Sequence, residues 1–100
     1  MNPIFYVIST VLHDNNDITK GIKIYAFGSA IRSDKQPNDI DILIIYVEDT
    51  QPKVIRRLLD NMGNMPLHLI FMFPQEELET NFIRAQKCVE ITALFNAKDQ

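Results

Sequence analysis

Gly28-Ser29-Ala30-Ile31-Arg32-Ser33-Asp34-Lys35-Gln36-Pro37-Asn38-Asp39-Ile40-Asp41-Ile42-Leu43 lies between two apolar stretches of different character. Upstream, over 20–27, Ile22, Ile24 and Ala26 point one way and Lys23, Tyr25 and Phe27 the other, the period of a strand. Downstream, 40–47 is rich in β-branched residues and, Asp41 apart, apolar on both faces, which predicts a central strand. Between them the chain must turn. Gly28-Ser29 opens a short helix over 30–33, and the polar run 33–38 reads as a loop.

Both ends of this stretch carry chemistry. A glycine at the end of a strand lets the backbone approach a ligand closely. The adjacent N–H groups and the Ser29 hydroxyl can then hold phosphate oxygens at a helix start. Asp39 and Asp41 lie two residues apart at the head of the central strand, so both carboxylates share a face at a Cα separation of roughly 7 Å. Like charges so placed repel unless a cation neutralises them. Mg²⁺, which takes one or two carboxylates plus substrate phosphates, is the natural candidate. Plainer roles compete: Asp39 capping a turn, or Asp41 paired with a lysine at the sheet edge. The Gly-Ser after the preceding strand tips the balance toward a metal site.

Working outward, Ile4, Val7, Ile8, Val11 and Leu12 sit at helical spacing over 3–13, with Asn2 as cap and Pro3 in the first turn. Thr50 or Asp49 caps a helix with Pro52 in its first turn; Val54, Leu58, Leu59 and Met62 form its apolar stripe, and Gly63 ends it. Residues 66–73 read as a third strand. Pro74 then opens a last helix, with Glu76 and Glu77 in its first turn and Leu78, Phe82, Ala85 and Val89 on its inner face. The order α-β-α-β-α-β-α predicts an α/β (α+β) fold, a small three-stranded mixed sheet flanked by helices, as a single domain over 1–100.

With 46% hydrophobic and 23% charged residues, the chain is globular rather than disordered. A net charge of -3 disfavours a polyanion as partner, and the one basic cluster, Lys53, Arg56 and Arg57, reads as a solvated helix face. Its single cysteine, Cys88, can form no internal disulfide and is read as structural; with no basic n-region, the pattern fits a cytoplasmic protein. The longest apolar run falls far short of the roughly 20 residues needed to span a bilayer, so no membrane association is expected.

The run Gly28-Ser29-Ala30-Ile31-Arg32-Ser33, nine residues separating Gly28-Ser29 from Asp39, and Asp39-Ile40-Asp41-Ile42-Leu43 together resemble the signature of the polymerase-β-like nucleotidyltransferases, nearest to the minimal nucleotidyltransferase group. The resemblance implies that Gly28 and Ser29 hold the phosphates of an NTP and that Asp39 and Asp41 ligate Mg²⁺, in a site that can take two metals. Arg32 falls where many members carry a basic residue, either steering the triphosphate or bracing the loop. The implied activity is transfer of a nucleoside monophosphate from an NTP such as ATP to a hydroxyl acceptor. Short members often sit beside a helical partner as a toxin–antitoxin or defence pair.

The family usually supplies a third carboxylate from the next core strand, as a metal ligand and as the base toward the attacking hydroxyl. Here Leu67-His68-Leu69 puts His68 in that place. Either His68 acts as a neutral general base, or Glu76 or Glu77 reaches in, or catalysis is lost and the domain is a nucleotide-binding or partner-binding scaffold. The chain also ends about one helix after the third strand, without the helical domain that grips the acceptor in many relatives. A protein partner or a second copy would then complete the acceptor site. Phe71, Met72 and Phe73 lack amphipathic alternation and are either buried or part of an interface, burial being the plainer expectation.

Overall fold

The computed structural model describes residues 2–32, 39–63 and 66–94. In chain order the elements are α1 (Ile4–Asp14), α2 (Asn16–Thr19), β1 (Lys23–Phe27), α3 (Ser29–Arg32), β2 (Ile40–Ile45), α4 (Gln51–Asp60), β3 (Leu67–Met72), α5 (Pro74–Thr80), α6 (Phe82–Ala85) and β4 (Val89–Glu90). The sheet order is β3-β2-β1-β4; β1 runs antiparallel to β2 and to β4, while β2 and β3 are parallel. The polar stretch 33–38, read above as a loop, lies outside the described residues.

The strand alternation read from the sequence sorts the sheet into two faces. Ile22, Ile24, Ala26, Ile40, Ile42 and Ile44 join Phe5, Ile8 and Leu12 of α1 and Ile55 and Leu59 of α4 in the larger core. Phe27, Leu43 and Ile45 point the other way into a smaller cluster with Ile70, Met72, Phe82 and Ile83. Asn2 caps α1 as expected, its Oδ1 accepting the Ile4 N–H at 2.9 Å.

Three local expectations are corrected. Neither Asp49 nor Thr50 caps α4 with its side chain; the buried Gln51 does the tying instead. Its Oε1 accepts the Val47 and Glu48 N–H groups, and its Nε2 donates to the Ile18 and Lys20 carbonyls. All four bonds are internal, so a primary amide is carried in the core without an orphaned polar atom. The stripe of α4 is centred on Ile55 and Leu59, the helix residues most fully buried beside Gln51.

The single last helix breaks at Asn81, whose φ of 53° is left-handed, a conformation asparagine tolerates better than most residues. The Glu77 carboxylate spans the break by accepting the Ile83 N–H at 3.0 Å. Leu78, assigned above to the inner face, is 73% exposed, and Ala85 is exposed as well. Val89 leaves the helix altogether and pairs with Ala26 as part of β4. This makes the sheet four-stranded rather than three-stranded. The fourth strand is anchored just beyond its ladder: buried Ile91 donates to the Ile24 carbonyl, and Thr92 Oγ1 accepts the Ile24 N–H.

Candidate active site

β1 and β2 are in a register that sets Phe27 opposite Asp41, and β2 and β3 set Asp41 opposite His68. One row across three strands, Phe27–Asp41–His68, therefore ends next to Gly28 on one side and at His68 on the other. Both Asp41 and His68 alternate with residues of the larger core, which puts them on the opposite face, with Leu43 and Ile45.

Gly28 is required here on two counts. Its φ is +80°, and a Cβ built on it would collide with Asp41 Oδ2 and stand 3.2 Å from Asp41 Cγ. The carboxylate thus rests against the glycine backbone at the bend where β1 passes into α3. Ser29 is the first residue of α3. Arg32 closes that turn, its Nε donating to the Gly28 carbonyl at 3.2 Å. The bond ties the Arg32 side chain back to the Gly28 bend.

The partner of Asp41 is a histidine rather than a lysine. His68 Nδ1 lies 3.0 Å from Asp41 Oδ1, with the imidazole 62% exposed and the carboxylate 20% exposed. Asp39 stands exposed immediately before β2. Among the described residues no group of three or more His, Cys, Asp and Glu side chains converges as a metal site. Glu76 and Glu77 do not fill the third place. Glu76 accepts the Phe73 N–H at the start of α5, and Glu77 accepts the Ile83 N–H. The structure thus brings Gly28, Arg32, Asp41 and His68 together, with Ser29 adjoining.

A family model described as "Nucleotidyltransferase domain" matches residues 8–92, most of the chain. The protein belongs to the nucleotidyltransferase domain family. Its mixed α+β architecture is that fold, with a short extra strand at the β1 edge. A search of curated proteins finds no match. Nucleotidyltransferase domains act on an NTP and generally use a divalent metal. No helix among the described residues is long and apolar enough to cross a membrane.

In this nucleotidyltransferase domain the Asp41 carboxylate is an oxygen donor of the kind a hard divalent cation takes. It sits in a cradle that a side chain at position 28 would fill, while Asp39 stands exposed before β2. Such a cation takes its remaining ligands from phosphate and water.

Proposed function

We propose that this domain transfers a nucleoside monophosphate from an NTP, with ATP the first candidate, to a hydroxyl acceptor in a Mg²⁺-dependent reaction. The observation that carries the reading is the seating of the Asp41 carboxylate against Gly28, which unites the Gly-Ser bend with the Asp-x-Asp strand. Gly28 and Ser29 hold the triphosphate through backbone N–H groups and the Ser29 hydroxyl. Arg32 spends only Nε on Gly28, so its other guanidinium N–H groups are available to phosphate oxygens. Asp39 and Asp41 hold the cation, which when bound offsets phosphate charge in the transition state. The acceptor oxygen bonds the α-phosphorus, the α–β bridging P–O bond breaks, pyrophosphate leaves, and the hydroxyl proton passes to solvent.

The Gly-Ser bend and the Asp-x-Asp strand serve the nucleotide half of the site. A protein partner or a second copy supplies the acceptor half, as in a toxin–antitoxin or defence pair, and the single thiol suits a cytoplasmic setting. Labelling tests the reading: radiolabelled ATP, Mg²⁺ and the candidate partner should give a labelled acceptor. Asp41→Ala and Gly28→Ala should each lower labelling by about 100-fold or more while the melting curve stays cooperative. Equal labelling by wild type and Asp41→Ala would refute catalysis here. The seating of His68 in the place of a third acid favours a second reading, a scaffold that binds nucleotide without turnover. Mg²⁺-dependent ATP binding by calorimetry with no labelled product would select it.

A further inference from the structure

We propose that the outer edge of β3 pairs two copies of this chain about a two-fold axis at Leu69, making one continuous sheet. The inference goes beyond the nucleotide reading and does not depend on it. β3 ends the sheet on the side away from β4, an edge strand among the described residues. The ladder to β2 fixes which way its backbone groups point. Ile40 N–H donates to the Pro66 carbonyl and Tyr46 N–H to the Met72 carbonyl, and the parallel register between them is unbroken. The N–H and C=O of one strand residue leave on the same side, and that side alternates along the strand. His68, Ile70 and Met72 therefore bond toward β2, while Leu67, Leu69 and Phe71 hold their groups outward. The strand Leu67–Met72 contains no lysine, arginine, aspartate, glutamate or proline. Those are the residues that normally keep an edge from pairing.

Self-complementarity makes a second copy the occupant. An antiparallel pair centred on Leu69 sets that residue against its own copy and Leu67 against Phe71 of the partner subunit, each pair exchanging both hydrogen bonds. The outward groups of Leu67, Leu69 and Phe71 are then all matched, with none left over. The side chains agree with this register. His68 comes opposite Ile70 of the partner subunit rather than opposite a second histidine, and the other pairs along β3 are apolar. Leu67, Leu69, Ile70, Phe71 and Met72 are each half-buried in the single chain, so pairing extends both apolar clusters across the axis. An axis of this kind stands perpendicular to the sheet, so like faces adjoin. Both rows that end at His68 then open on one side, and each candidate site gains a wall from the partner's Ile70. A single strand pair buries less than a standard interface, which makes this a reversible dimer with a Kd of about 1–100 μM.

Sedimentation equilibrium of the intact chain from about 5 to 500 μM should show monomer passing to dimer. Leu69→Pro removes only an outward N–H, leaves the ladder to β2 whole, and should raise the Kd about 10-fold or more. Cross-linking reads the register. In a Cys88→Ser background, oxidation should join Leu69→Cys chains, whose paired Cα atoms stand about 5.5 Å apart, within disulfide reach. Phe71→Cys chains should join about 10-fold more slowly or less, because their Cα atoms lie roughly 13 Å apart along the strands. Thermal melts check that each variant is folded, and the two cysteine variants decide the matter if Leu69→Pro does not fold. A monomer at every concentration would overturn the inference and leave the nucleotide reading untouched. A dimer unmoved by a folded Leu69→Pro, or one whose Phe71→Cys chains join as fast as Leu69→Cys chains, would overturn the pairing at this edge.

Discussion

On the face of the sheet covered by α1 and α4, Phe5, Ile8, Leu12, Ile55 and Leu59 are sealed against Ile24, Ala26, Ile42 and Ile44. On the opposite face, α5 and α6 lie over Phe27, Leu43 and Ile45 without burying any residue of their own, and Leu78 stands out in solvent. The same central strand feeds both sides. The first face carries most of the apolar burial that holds the fold. The second is thinly roofed, and the row Phe27–Asp41–His68 lies on it, with Gly28 next in the chain after Phe27. A polar site that must admit a nucleotide and an acceptor is compatible with the thin roof and would be smothered by the thick one.

Substitutions should separate the two faces. Phe5→Ala on the thick face should cost about 3–5 kcal/mol in urea unfolding. A domain of this size has only roughly 5–15 kcal/mol in hand. Leu78→Ser on the thin face should stay within about 0.5 kcal/mol. Comparable losses at the two positions would erase the contrast. A smaller loss is expected at the seam that holds the thick side closed. Gln51→Leu should lower stability by about 3 kcal/mol, because the Val47 and Glu48 N–H groups and the Ile18 and Lys20 carbonyls lose their partners. A urea midpoint unmoved by that change would show the four bonds to be replaceable by water.

The smallest effect reads the electrostatics of the thin face. Burial first, and the Glu77 charge second, raise the Cys88 thiol above its ordinary 9.0. Burial, then Glu90, Glu77 and Cys88, raise the Tyr25 phenol above 10.0. A raised folded value favours the protonated form. Its contribution to stability is therefore present below the unfolded value and is lost as pH rises through the folded one, from about pH 9 upward. Iodoacetamide alkylation of Cys88 should rise with pH later in the folded chain than in urea. Glu77→Gln keeps the acceptor for Ile83 and should move that profile part of the way back. Coincident profiles in folded and unfolded chains would show the face to be open to water.

Much of this is legible in the sequence. Alternation located β1, and the double-faced apolar run located β2 as a central strand. Spacing located α1 and α4, and Gly28 and Asp41 stood out by type and position. Leu78 and Val89 misled because a helical spacing continues through Asn81, where the backbone turns left-handed and ends the helix. A two-residue strand such as β4 carries no periodic signal, so only its pairing with Tyr25 and Ala26 reveals it.

The amino-acid order alone therefore determined the main elements and the residue types able to hold phosphate and cation, because both are written in contacts a few residues long. Tertiary structure decided what those residues meet. Cross-strand register set His68 against Asp41 over a separation of 27 residues, and chain folding brought Gln51 to the carbonyls of Ile18 and Lys20. Such meetings depend on how strands align and how connections return. No local pattern encodes that.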